Sequence, residues 1–259
     1  MGTSTAAYLY CVVKSARRPA AARAPQGLPG ASRPSAVDAG RGLWLIAADV
    51  PLEDFGPGRL EPRLQDLDWV ANAAVAHEAV VEFFSRPAGA TVIPAKLFTM
   101  FSSTAKAVED VAGRRAVIAR VMKRIAGCQE WGIRVTRRPG VTAPARRASP
   151  SGPMTGSAFL SARKAARDAT ADARAAARQA AEGTFTALAR HARDARSRER
   201  RPEPGSNPPV LEAAFLVPAQ ARTRFQAEAR RQYAVCDAAG ADLTLTGPWP
   251  AYNFVGDPS

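Results

Sequence analysis

Apolar residues return along this chain in two rhythms. Short unbroken runs, which suit buried strands when turn signals bound them, alternate with stretches in which apolar positions recur every three or four residues, the period of a helix face. The first run, Tyr8-Leu9-Tyr10-Cys11-Val12-Val13, is aromatic and β-branched and holds no Gly or Pro, so it predicts a central strand. Leu43 to Ala48 predicts another, ending at Asp49-Val50-Pro51, where proline removes a ladder donor. A shorter strand around Val37 precedes it, paired through a Gly40-Arg41-Gly42 turn. Thr91 to Phe101 forms the next run, with Pro94 arguing for a bulge or sheet edge, and Cys128 to Thr136 the one after. Between the early strands, residues 15–35 are rich in Ala, Arg and Pro, with little to bury, and read as a mobile loop.

Helical spacing fills the intervals. Asp66 is a suitable N-cap for a helix to about Ser85, with Leu67, Val70, Ala74, His77, Val81 and Phe84 on one face. Ser102 or Ser103 caps a second helix to about Ala126, with Val108, Val111, Ile118, Met122 and Ile125 near one face and Gly127 as its stop. The order of these pieces predicts an α+β fold. Its N-terminal part reads as a ferredoxin-like α/β sandwich with helices on one face of the sheet. This N-terminal domain spans 1–138, and Pro, Gly, Ala, Arg and Ser over 139–156 form a linker.

The remaining 157–259 reads as a C-terminal domain, a smaller α+β unit led by a long helix. That helix runs from about Ser157 to Arg198, with Ala162, Ala165, Ala169, Ala173, Ala176, Ala180 and Ala187 along one side. Arg163, Arg167, Arg174 and Arg178 line another side, and Gly183 weakens the helix by about 1 kcal/mol relative to Ala. After a hinge-like stretch from Pro202 to Pro209 come a strand, Val210–Val217, and a helix to about Ala238 carrying Phe225, Ala229, Tyr233 and Cys236 on one face. The last strand, Asp242–Thr246, delivers an aromatic tail, Gly247-Pro248-Trp249-Pro250-Ala251-Tyr252-Asn253-Phe254. Three large aromatics in six residues suit a terminus that is tied down.

Composition sharpens this picture in one direction. Lys and Arg number 36 against 23 Asp and Glu, for a formal charge of +13. Such a balance favours an acidic partner, and the arginine row of the long helix over 157–198 makes nucleic-acid binding the alternative reading. Asp168, Asp172, Glu182 and Asp194 interrupt that row, and no nucleic-acid recognition motif accompanies it. Cys11, Cys128 and Cys236 lie far apart without metal-ligand spacing, as reduced thiols of a cytoplasmic protein would. No stretch approaches the ~18 apolar residues of a membrane span.

Candidate chemistry is sparse. The sequence holds no P-loop, no dinucleotide-binding glycine pattern, no nucleophile elbow and no HExxH. His77 sits mid-stripe with Glu78 beside it. Adjacent helical residues point about 100° apart, and no second histidine lies four residues away, so the spacing fits a buried, hydrogen-bonded histidine. No catalytic constellation, cofactor or metal is expected, and no small-molecule substrate.

With these pieces placed, the chain resembles the gas vesicle GvpF/GvpL family. The matching segments include residues 8–13, Gly27-Leu28-Pro29-Gly30, Ala48–Leu52, Leu67–Val70 and Ala76–Val81. They continue through Val92–Phe101, with Pro94, Lys96 and Thr99, then Glu130-Trp131-Gly132, Ala214–Pro218 and Thr246–Val255. The tail element is the most specific piece. Cys11, Phe159 and Phe215 depart from the commoner residues of the family. The resemblance implies a non-enzymatic minor component and assembly factor of gas vesicles, located at the vesicle or in the cytoplasm. Its implied partners are the hydrophobic shell protein, kept from aggregating during nucleation, and other accessory proteins. His77, Glu78, Pro94, Lys96, Thr99, Trp131, Gly247, Pro248, Trp249, Pro250, Tyr252 and Phe254 are its motif residues here, expected to be structural.

Overall fold

A computed structural model of the chain describes residues 4–87, 89–138, 156–198 and 208–256. The chain divides into two compact units: Met1–Gln129 together with Trp249–Ser259, and Glu130–Pro248. The division falls just inside the strand that begins at Cys128, between Gln129 and Glu130, and the last residues return to the first unit. The expected partition, 1–138 and 157–259, put both on the other side. Periodicity identifies a strand without saying which sheet it joins. The expected linker, apart from Gly156, and most of the Pro202–Pro209 hinge lie outside the described residues.

In the first unit, β1 (Thr5–Lys14) pairs antiparallel with β3 (Leu43–Pro51), which pairs with β2 (Ser35–Asp38). Short helices α1 (Leu52–Phe55) and α2 (Leu60–Arg63) lead to α3 (Leu67–Ser85). Asp66 caps α3, its carboxylate accepting from the Asp68 and Trp69 amides. The apolar run after α3 is not one strand. It splits into β4 (Thr91–Pro94) and β5 (Met100–Phe101), both paired with β1. The second helix likewise breaks at Arg114 into α4 (Thr104–Gly113), capped by Ser103, and α5 (Arg115–Ile125).

The sheet order is β2-β3-β1-β4, and β1 shifts register between Leu9 and Cys11. That bulge changes the phase of the alternation. Ala6, Tyr8 and Tyr10 before it, and Cys11 and Val13 after it, all join one core cluster with α3. Leu9 and Val12 join a second cluster with Ala107 and Val111 of α4 and Ile118 and Met122 of α5. Helices therefore cover both faces of the sheet, where one covered face was expected. A strand enclosed on both sides is what an unbroken apolar run specifies.

The 15–35 segment, expected to bury little, seats Leu28 at 0 % exposure along with Ala24 and Ala31. Gly27 permits this approach: its φ is +81°, and a Cβ there would stand 2.2 Å from the Tyr10 hydroxyl oxygen.

The second unit runs β6 (Cys128–Arg137), α6 (Gly156–Ala189), β7 (Asp194–Ser197), β8 (Leu211–Pro218), α7 (Arg222–Ala238) and β9 (Ala241–Trp249). Its strand order is β7-β8-β6-β9. A β-α-β-β-α-β succession occurs in this unit, whereas in the first unit only a single 3-10 turn, Ala21–Arg23, separates β1 from β2. Trp131, Ile133 and Val135 alternate inward from β6 to meet Phe215, Phe225, Ala229, Leu243 and the Ala177, Ala181 and Leu188 face of α6. Gly132 lets β9 close on β6, since a Cβ there would lie 2.7 Å from the Thr246 Oγ1. The long helix passes Gly183 without a break and ends at Ala189, short of the expected Arg198. Tyr233, expected on the buried face of α7, is 40 % exposed, and Gln232 turns inward to the Thr184 hydroxyl instead.

Candidate functional site

The densest polar chemistry in the described residues lies inside the first unit, where β1, α3, the β4–β5 connection and the C-terminal tail meet. Tyr8 is fully buried on β1, and its hydroxyl lies 2.7 Å from His77 Nδ1 on α3. The same hydroxyl oxygen accepts from the Phe98 amide at 3.3 Å. The Ala95 backbone beside the ring assigns the imidazole proton to Nε2, and in that neutral tautomer Nδ1 accepts from the Tyr8 hydroxyl. Burial holds the imidazole down to about 4, an effect partly offset by the Ala95 backbone, which Nε2 faces without completing a hydrogen bond of ordinary geometry. Burial also raises the Tyr8 and Tyr10 hydroxyls and the Cys11 thiol, so all three stay protonated at neutral pH. Tyr10 completes the cluster edge-on to Tyr8 at 4.8 Å, its hydroxyl accepting from the Leu28 amide at 3.0 Å.

One turn of chain beside this cluster is strained. Phe98 has a φ of +62°, a left-handed conformation uncommon for an aromatic residue. It is held from two directions: its amide bonds Tyr8, and its ring stacks on Trp69 at 5.4 Å and 3°. Lys96 and Thr99 flank it. The Thr99 hydroxyl and amide both bond the Lys96 carbonyl, and the Thr99 carbonyl accepts from the Leu9 amide. The Lys96 side chain is exposed, whereas Pro94 is buried opposite Cys11.

The tail closes the cluster. Phe254 is fully buried, and the Arg124 guanidinium of α5 donates to the Phe254 and Gly256 carbonyls. Tyr252 packs against the same core as Tyr8 and faces Glu78. Burial raises the Glu78 carboxyl, and the Tyr252 hydroxyl pulls it partly back, although neither Glu78 Oε1 nor the Tyr252 hydroxyl closes a hydrogen bond of ordinary geometry. Burial, then Glu78, raises Tyr252 in turn.

The structure thus gathers His77, Glu78, Pro94, Thr99, Tyr252 and Phe254 in one unit, with Lys96 at its surface. Trp131 belongs to the second unit, 3 % exposed, with Arg222 over its ring. Gly247 and Pro248 form the end of β9, joined by a cis peptide bond. Pro250 is buried, but Trp249 is 43 % exposed, so the indole is not the buried anchor that its neighbours are. Tyr8, Tyr10, Leu28, Phe98 and Arg124 were missed as partners. The matching segments 8–13, Gly27–Gly30 and Val92–Phe101 contain all of these except Arg124, but nothing in them says that the residues meet.

A catalytic role for His77 would need a side chain open to solvent, and it is 3 % exposed with one nitrogen bonded to Tyr8. No group of three or more His, Cys, Asp or Glu side chains among the described residues is arranged to hold a metal ion. No helix among them is long and apolar enough to cross a membrane. On α6, Arg163, Arg167, Arg174 and Arg178 are exposed, as is every residue from 156 to 168.

Comparison with known proteins converges on one group. A family model described as "Gas vesicle synthesis protein GvpL/GvpF" matches residues 6–256. Gas vesicle protein L of Streptomyces sp. (strain CB03234) is 30 % identical over 276 aligned positions, spanning 99 % of this chain and 95 % of the relative. Among solved structures, GvpF from Anabaena sp. PCC7120 superposes with a TM-score of 0.69 at 15 % identity, covering 99 % of this chain and 98 % of that one. GvpF from Microcystis aeruginosa gives 0.61 at 12 % identity, over 97 % and 99 %.

Proposed function

Because this chain belongs to the GvpL/GvpF family of gas vesicle proteins, we propose that it is a non-enzymatic accessory protein that binds the hydrophobic shell protein during vesicle assembly. The observation that carries this reading is the family match from residue 6 to residue 256, which takes in both units and the tail. In this role the protein shields the apolar faces and strand edges that shell subunits expose before they are assembled, and so keeps them from aggregating. It works together with other accessory proteins, remains a minor component, and is found at the vesicle or in the cytoplasm.

Two structural features support the reading. In the second unit β9 lies at the end of the strand order, the position from which a sheet accepts a further strand. In the first unit the motif residues His77, Glu78, Pro94, Tyr252 and Phe254 lie in or against the packed core, and their role is to hold the framework that presents a binding surface.

Deletion of the gene from a vesicle-forming host tests the role. Expected are loss of flotation and of vesicles by electron microscopy, and co-purification of the tagged protein with the shell protein. Normal vesicles in the deletion strain, with no shell protein recovered on the tag, would refute it.

A further inference from the structure

The first unit carries an open cleft of about 500 Å³ where the end of β1 and the start of β4 meet α5. Its chemistry is uneven. Lys14 and Lys123 line it together with Ser15 and Thr91, and Met122 and Ala119 are among the residues forming the apolar part. No acidic residue lines it.

Two facts mark this cleft. Lysine is rare in the chain: there are five, at positions 14, 96, 106, 123 and 164, among 36 basic residues. Two of the five meet here. Several basic groups elsewhere in this unit are paired with carboxylates, as Arg63 is with Asp54, Arg86 with Glu82, Lys106 with Glu109 and Arg114 with Asp110. Lys14 and Lys123 have no carboxylate within ion-pair distance among the described residues. Backbone pairing sets their place, since Lys14 lies opposite Thr91 in the β1–β4 register and Lys123 sits one residue beyond the buried Met122 on α5.

We propose that this cleft binds an acidic side chain carried on an apolar peptide segment of a partner protein. The choice of a peptide over a free anion follows from exposure. Both ammonium groups are solvated, and exposed ion pairs of this kind contribute little each, too little to hold a lone phosphate or carboxylate. A segment that covers the apolar wall with a leucine or valine while placing a glutamate or aspartate between the lysines gains from both surfaces. The vesicle role stands independently of this site, which fits any partner of that chemistry.

Fluorescence anisotropy on the full chain tests the site, with a labelled peptide Ala-Leu-Glu-Leu-Asp-Leu-Ala as probe and its Lys-for-Glu/Asp counterpart as control. Saturable binding of the acidic peptide at 50 mM salt is expected, weakening at 500 mM, with none for the basic peptide. Lys14→Met and Lys123→Met should each weaken binding between about two- and fivefold, and together about tenfold. Arg163→Gln/Arg167→Gln removes the same charge from α6 and should leave binding unchanged. Equal weakening by both pairs of substitutions would show that net charge alone holds the peptide and overturn the site. Displacement of the peptide by equimolar inorganic phosphate would assign the cleft to a free anion and overturn it as well. Unaltered thermal unfolding of the lysine variants establishes that the loss is of binding and not of fold.

Discussion

Acidification should weaken the first unit through His77, and the structure sets the size and sign of the effect. Free histidine takes up its proton near 6.5, whereas burial beside Tyr8 holds His77 down to about 4. Between those values the unfolded chain binds the proton and the folded unit does not, so stability is full above about pH 7 and falls as the pH drops toward 4. At 1.36 kcal/mol per pH unit the completed loss is about 3 kcal/mol, and about 2 kcal/mol of it is present by pH 5. No discount for solvent screening is due, since the ring is 3 % exposed. Glu78 acts in the opposite sense. Its raised carboxyl contributes stability at low pH that is lost as the pH rises through its folded value. Urea unfolding followed by tryptophan fluorescence, from pH 7.5 to pH 4.5, should therefore compare the natural chain with His77→Gln. The substitution lowers stability at neutral pH because it disturbs the Tyr8 bond, but Glu78 and all other titrating groups are common to both chains. The difference between the two curves isolates His77, and it should shrink by about 2 kcal/mol between pH 7 and pH 5. Curves that fall in parallel over that interval would refute the neutral, Tyr8-bonded assignment.

The tail offers a contrast between neighbours. Phe254→Ala should destabilise the first unit by about 3–5 kcal/mol in the same urea assay, whereas Trp249→Ala, at a half-exposed indole, should change it by no more than about 1 kcal/mol. Arg124→Met removes the donor to the Phe254 and Gly256 carbonyls and should lower stability by about 1–3 kcal/mol, with faster amide exchange confined to the tail and its seat. Gly27→Ala places a methyl against the Tyr10 hydroxyl in a left-handed backbone, so it should shift the urea midpoint down by well over the equivalent of 1 kcal/mol, while Gly30→Ala, with only the Asp54 carboxylate at 3.8 Å, should show little beyond its backbone strain.

What the sequence makes legible is local. The β1 run, the Asp66 cap, the Gly127 stop and the core faces of α5 and α7 follow from spacing and residue type, and they are where the structure puts them, apart from Tyr233. Pairing across distance is not legible in that way. The partner of His77 is 69 positions away, so a stripe that marks the histidine as buried says nothing of Tyr8. The Thr91–Phe101 run reads as one strand because every residue suits one. It is two because Phe98 turns left-handed to meet Trp69 and Tyr8, a decision of tertiary packing. Leu67 shows the same limit, since it keeps the period of α3 yet is 78 % exposed at the first turn, where no neighbour reaches it. The assignment of β6 to the second sheet is the largest such case. Its Trp131-Gly132-Ile133 alternation specifies one buried face and leaves open whose helices cover it.

The return of the tail to the first unit has a consequence for how the protein is made. A ribosome releases β1 to α5 early, but the seat that Arg124 and the α3 face prepare stays empty until Phe254 leaves the exit tunnel. At ~5–20 residues per second the inserted unit, Glu130–Pro248, takes on the order of ten seconds to synthesise, and its own last strand precedes Phe254 by only a few residues. The first unit, though begun first, therefore waits for the whole of the second before its core can be completed. A nascent first unit with its core open is an apolar surface held for seconds beside other chains, and it closes only once Phe254 reaches its seat.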